Sequence, residues 1–155
     1  MSGNVMRADC TYLSAAYEYG GPAQAAGDMM RSLPEFPKMK TLLDLGGAAG
    51  FFSIAIVAAH PCMTAEIFEQ SLMACMITRE FIRQYQLSDR ISVMKADFLS
   101  NSPGGSYDLI VASALLKKNN LQRDKLLTRL YETLNPGGML LRYQDGKVEL
   151  LSSIC

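Results

Sequence analysis

The chain has 155 residues, the size of one ordinary domain and enough to bury a core. Apolar residues make up 49% and charged residues 19%, which excludes a disordered chain. Fifteen Lys and Arg balance fifteen Asp and Glu, so no global field favours nucleic acid or an anionic membrane surface.

The opening, Met1 to Cys10, has no apolar segment behind a basic one. The longest apolar run, Phe51 to Ala59, is too short to cross a bilayer and is broken by Ser53. Cys10, Cys62, Cys75 and Cys155 stand far apart, so reduced thiols in the cytoplasm are expected. No metal is expected, because His60 is the sole histidine and no two ligands sit close together.

A helical lead comes first. Tyr12 to Tyr19 reads as helix, Gly20-Gly21-Pro22 as its break, and Ala23 to Leu33 as a second helix closed by Pro34-Glu35-Phe36-Pro37. Thr41 to Leu45 is a short apolar run read as a buried strand, and Phe51 to His60 a helix apolar nearly all round. Ala65 to Phe68 is the second strand. Ser71 caps a helix running to about Gln86, with Leu72, Cys75, Met76, Phe81 and Ile82 towards the core. Ile91 to Lys95 is the third strand, and Asn101 to Ser106 a loop by composition. Tyr107 to Ala112 is the fourth strand, and Leu121 to Leu134 a helix with apolar residues at 126, 127, 130 and 134. Asn135-Pro136-Gly137-Gly138 breaks that helix before a fifth strand, Met139 to Tyr143. The turn dipeptide Asp145-Gly146 folds Val148 to Leu151 back as a sixth.

This alternation predicts an α/β fold: a doubly wound, mostly parallel sheet with helices on both faces. Such sheets bind ligands beyond the carboxyl ends of their strands. Just past the first strand stands Asp44-Leu45-Gly46-Gly47-Ala48-Ala49-Gly50, whose small residues allow a sharp turn and close backbone approach. The dinucleotide fingerprint set on Gly46 demands glycine at 48 and 51, where this chain has Ala48 and Phe51, so a nicotinamide oxidoreductase fits poorly. The second strand ends in Phe68-Glu69-Gln70, placing an acid to accept ribose hydroxyls. The third ends in Ala96-Asp97-Phe98, where Asp97 either bonds an adenine amino group or caps a turn, and Phe98 lies against the ring. Three acids without a phosphate-binding lysine suit a ligand with ribose, adenine and positive charge, and Coulomb attraction favours a sulfonium there.

Leu42 to Gly50 resembles motif I of the class I S-adenosylmethionine-dependent methyltransferases. Glu69, Ala96-Asp97-Phe98, Tyr107-Asp108-Leu109-Ile110 and Leu134-Asn135-Pro136-Gly137-Gly138 fall where the later motifs should. The likeness, from about Leu33 to Leu141, is to the O-methyltransferases of the caffeate and hydroxyneurosporene type. It implies a Rossmann-like domain over residues 41–155 behind a helical lead at 1–40, with S-adenosyl-L-methionine as cofactor and a small-molecule methyl acceptor. By the resemblance, Gly46 to Gly50 and Phe51 hold the methionine portion, Asp44 its amino group, Glu69 and Gln70 the ribose, and Ala96, Asp97 and Phe98 the adenine. Ser113 lines the same cleft. Tyr17 and Met30 could cover the cofactor, although core packing suits both.

Two departures stand out. Ala48 occupies a place where the family has glycine, and Lys117 the place of its catalytic histidine. A solvated lysine is a poor base at neutral pH, and His60 lies at the wrong end of its helix, so the catalytic base is unassigned. The short ending after the fifth strand reads as truncated relative to the family, with a sheet edge that would favour a homodimer. The expected activity is methyl transfer to a small molecule, most readily at oxygen. The competing reading is a cofactor-binding or partner module that has lost turnover.

Overall fold

Strand and helix alternate along the computed structural model, which describes residues 20–46, 48–112, 120–144 and 146–152. Helix α1 covers residues 20–31, and strand β1 spans Thr41–Leu45. Then come α2 (Phe51–Ala58), β2 (Thr64–Glu69), α3 (Leu72–Gln84), β3 (Ile91–Lys95) and β4 (Tyr107–Ala112). Helix α4 (Asn120–Thr133), β5 (Leu134–Gln144) and β6 (Lys147–Ser152) complete the order.

The strands form one sheet in the order β3-β2-β1-β4-β5-β6, with β1 to β5 parallel and β6 antiparallel to β5. The chain winds outward from β1 to β3 and returns to lay β4 beside β1, so the switch in strand order falls between β1 and β4. Side chains alternate through β1. Leu42 joins the core under α1, α2 and α3, whereas Leu43 and Leu45 join Leu126 and Leu130 of α4 on the other face. Both faces are thus covered, as parallel sheets require. Among the described residues no helix is long and apolar enough to cross a membrane.

The sequence reading needs correction in four places. Gly20, Gly21 and Pro22 are helical rather than a break, because burial of Ala23, Ala26 and Met30 outweighs weak helix propensity. Leu72 and Met76 are 58% and 57% exposed, and Ile77 and Thr78 take their place in the interior. The phase of α3 is set by its contact with the turn at Ala48–Gly50 as well as with the sheet. Helix α3 also stops two residues earlier than read. Gln86 turns left-handed (φ 58), and the N–H groups of Gln86 and Leu87 return to Arg83 and Ile82 in a Schellman closure. Finally, Asn135 to Gly138 lie within β5 as an irregularity: Leu134 pairs with Tyr107, and Met139 with Leu109. A Cβ on Gly138 would stand 2.8 Å from the Asn135 carbonyl oxygen, so only glycine closes this bend without a shift.

The amino edge of the sheet is tied by one carboxylate. Asp108 of β4 accepts hydrogen bonds from Lys40 N–H (2.7 Å), Thr41 N–H (3.3 Å) and Asn135 Nδ2 (2.8 Å). Ser106 holds Asn135 in turn, through Oγ at 2.6 Å. Burial alone would raise Asp108, but the bonds from Lys40, Asn135 and Thr41 outweigh it and hold the carboxyl below its ordinary value. Asp108→Ala should therefore cost about 1–3 kcal/mol in urea unfolding at pH 7. A lowered carboxyl stabilises the fold above its unfolded value and loses that contribution as pH falls through the folded one. The gap between wild type and Asp108→Asn should accordingly shrink at pH 3.

Candidate functional site

The carboxyl edge beside the β1–β4 switch is where the sequence places its three acids, and the fold brings them there. Asp44 is the penultimate residue of β1, Glu69 the last of β2, and Asp97 follows β3 by two residues. Two backbone bonds align these strand ends, Gly46 N–H to Phe68 O at 2.8 Å and Ala96 N–H to Glu69 O at 3.0 Å.

Asp44 is fully buried. Its register neighbours, Ile67 of β2 and Val111 of β4, are apolar, so the carboxylate relies on the first turn of α2. Ser53 Oγ donates to Oδ2 at 2.7 Å, and the nearby Ser53 main-chain N–H also favours the charged form. Oδ1 is buried without a partner. Burial pushes Asp44 up to about 6; Ser53 pulls against this, and the Glu69 charge adds to the rise. A buried polar atom left unpaired in an otherwise well-bonded structure is a place for a ligand donor.

The turn from β1 into α2 is bent by left-handed residues: Gly46 (φ 65), Ala49 (φ 61) and Gly50 (φ 77). Ala49 pays for this geometry by roughly 1–2 kcal/mol, because its Cβ crowds the carbonyl. Gly50 is fixed by a second demand. A Cβ there would stand 2.8 Å from Thr78 Cγ2 and 3.2 Å from Ile67 Cδ1, so α3 closes directly on the turn. The small residue at 50 is thus set by helix packing as well as by any ligand.

Glu69 is half-buried and accepts Ser71 N–H at 2.9 Å, just ahead of α3, whose N-cap is Ser71 with Ala74 N–H on its hydroxyl. Gln70 is exposed beside it, and Ala96 is buried behind the strand ends. Asp97 has the turn-capping role left open by the sequence: Leu99 N–H bonds Oδ1 at 3.0 Å and Ser100 Oγ reaches Oδ2 at 3.4 Å. Phe98 and Phe51 are core residues, 3% and 8% exposed. Arg129 lies over the Phe98 ring at 5.2 Å, and Phe51 stacks on Phe81 at 4.9 Å. Met30 is fully buried, which fits core packing.

Gly47, Ser113, Lys117 and Tyr17 lie outside the described residues, and so does the side chain of Ala48. His60 stands just past α2 at the opposite edge of the sheet, its ring edge against Phe36 and Nδ1 accepting Cys62 N–H at 3.0 Å. A groove of about 760 Å³ between α4 and the loop at 102–105 lies along a helix flank, not at the acidic edge. The residue that sequence reading missed is Ser53. Its signal was a lone hydroxyl in the apolar run of α2, nine positions after Asp44.

Comparison with known proteins gives one family: the model of the methyltransferase small domain matches residues 15–145. The N,N-dimethyltransferase OxyT of Streptomyces rimosus is 34% identical over 104 residues, covering 66% of this chain and 30% of the relative. The tetracenomycin polyketide synthesis 8-O-methyl transferase TcmO of Streptomyces glaucescens is 26% identical over 118 residues, 76% of this chain and 34% of the relative. The chain thus spans about a third of the length of these relatives. The fold is shared with an O-methyltransferase family protein from Burkholderia thailandensis, at a TM-score of 0.68, 23% identity, and coverage of 77% of this chain and 37% of that one.

Gly50→Ala should destabilise the chain by about 2 kcal/mol or more, from left-handed strain and the Thr78 contact together. Thr78→Ser, which removes the offending methyl, should recover only the steric part in the double variant. The Asp44 carboxyl gives a pH signature of opposite sign to that of Asp108. Raised from 3.8 to about 6, it keeps a proton in the fold that the unfolded chain has lost. Its ionisation should cost the ligand-free fold about 2–3 kcal/mol as pH rises from about 4 through about 6. Asp44→Asn should abolish that slope in urea titrations.

Proposed function

Because the chain belongs to the methyltransferase small domain family, we propose that it forms the donor-binding part of a methyltransferase that modifies a small molecule at oxygen. S-adenosylmethionine, the cofactor of this class, supplies an electrophilic methyl group on a sulfonium. The observation that carries the reading is Asp44 Oδ1, buried and unpartnered at the strand-order switch, where the cofactor's ammonium would complete it. The residues present fit the group, since Asp44 Oδ1 is a buried acceptor with no partner among the described residues.

In this reading Asp44 holds the ammonium and the turn through Gly46 and Gly50 lies along the methionine portion. Glu69, already fixed on one side by Ser71, accepts the ribose hydroxyls. Asp97 holds its turn at the adenine end, and the ring of Phe98 supports that turn from the core. The residues' work is alignment, which contributes much of the rate in a bimolecular transfer. A diffusible acceptor in the cytoplasm suits the balanced charge.

One finding favours nitrogen as the accepting atom instead: OxyT, at 34% identity, is named an N,N-dimethyltransferase. Labelled methyl transfer from S-adenosylmethionine to matched phenols and aromatic amines decides between them, and label on phenols alone is expected. No label on either class, with cofactor bound, would leave a binding module. Calorimetry with S-adenosylhomocysteine should show binding that weakens about tenfold per pH unit below about pH 6, as Asp44 takes up its proton. Glu69→Ala should weaken it by about 1–3 kcal/mol. An unchanged affinity in that variant would remove Glu69 from the site.

A further inference from the structure

Helix α2 reads Phe-Phe-Ser-Ile-Ala-Ile-Val-Ala, apolar at every position except Ser53. Ser53 is fully buried, and a buried hydroxyl needs a partner. Serine in a helix can satisfy itself by bonding back to the carbonyl four residues earlier. Here the hydroxyl goes instead to Asp44 Oδ2, at 2.7 Å. The donor comes from a residue on a packed helix, so the carboxylate is held at one oxygen by a rigid element. Its free oxygen, Oδ1, is the buried atom left without a partner.

We propose that Ser53 is the positioning residue of the donor site, fixing the Asp44 carboxylate so that Oδ1 stays ionised and open to the cofactor's ammonium. The inference rests on the reading of Asp44 given above and adds the group that makes it work. The surroundings of Asp44 show why a holder is needed. Ile67 of β2 and Val111 of β4 flank it without polar side chains, and the charge of Glu69, of β2, opposes ionisation. Among the described residues the hydroxyl and N–H of Ser53 are what favours the charged form.

The test uses the 155-residue chain as wild type, Ser53→Ala, Asp44→Asn and the double variant. S-adenosylhomocysteine binding is followed by calorimetry from pH 5 to pH 8, and the Asp44 carboxyl by carbon NMR in the ligand-free chain. Ser53→Ala removes one hydroxyl and keeps helix propensity, and its thermal unfolding at pH 4.5, where Asp44 is protonated, should match wild type. The carboxyl midpoint should rise by about one pH unit, the loss of one hydrogen bond to a charged group, and affinity should fall accordingly, about twofold at pH 7 and about tenfold at pH 5. Adding Ser53→Ala to Asp44→Asn should change affinity no further.

An unchanged midpoint and affinity in Ser53→Ala would overturn the proposal and leave Ser53 as packing. So would an equal loss in the Asp44→Asn background, because Ser53 would then act without Asp44. Failure of wild type to bind S-adenosylhomocysteine is a different result: it sinks the donor-site reading itself, and the proposal with it.

Discussion

A carboxylate in the middle of an apolar parallel sheet is expensive, and Asp44 is the group around which the carboxyl edge of this protein is arranged. Its strand neighbours offer no donors, and the nearest acting charge repels it. The cost is offset on one oxygen only, by the first turn of α2. That turn can reach Asp44 only if the chain reverses within five residues of β1, which forces Gly46, Ala49 and Gly50 into left-handed backbone. Gly50 in turn admits Thr78, so α3 is drawn onto the same turn and brings Ser71 beside Glu69. One under-satisfied carboxylate thereby accounts for the path of the loop, the seating of two helices and the position of a second acid.

The two edges of the sheet are built on opposite terms. At the amino edge the charged groups are bonded several times over, although His60 Nε2 is buried there without a partner among the described residues. Asp108 gathers donors from β1 and β5, and Arg90 donates to the carbonyls of Val57 and Met63 at 3.0 and 3.1 Å, and to that of His60, closing the end of α2. At the carboxyl edge a buried oxygen is left open. The contrast also sorts the family-like motifs by role. Tyr107-Asp108 and Asn135 to Gly138 resemble a methyltransferase sequence as strongly as the acids do, yet they lie at the amino edge and secure strand register. A rigid far edge is what allows the near edge to carry an unpaired charge without rearranging.

The strands along the chain, the hairpin at Gly146 and the placement of Asp44, Glu69 and Asp97 at strand ends were legible because they follow from apolar runs and from turn residues, both local signals; the order of the strands in the sheet was not. What escaped was set by contacts distant in sequence. The break read at Gly20 to Pro22 yields to burial of Ala23, Ala26 and Met30 against the rest of the core. Leu72 and Met76 look like core on a helical wheel, but the wheel cannot see that Thr78 must meet Gly50. Phe98 follows an acid at a strand end and so looks like a ligand platform; α4, arriving thirty residues later, places Arg129 over it and makes it core. Ser53 was visible only as a blemish in an apolar run, and its meaning depends on a partner nine residues back.

The same local logic explains what this segment can and cannot specify. OxyT and TcmO match overlapping shares of the chain, yet one is named for methylation at nitrogen and the other at oxygen. On the proposed reading, a stretch common to both serves what the two reactions share, the methyl donor. The residues found at the carboxyl edge agree with the proposed reading: a buried acid, a glycine-bent turn and a half-buried acid at the next strand end suit an ammonium and a sugar, and none of them is a base matched to an acceptor hydroxyl. Donor recognition needs fixed geometry and resides on strands and helix turns, where register holds side chains in place. Acceptor choice needs variation and belongs to loops on that scaffold. On that reading, the atom methylated is decided by residues other than those that make Asp44 and its turn what they are.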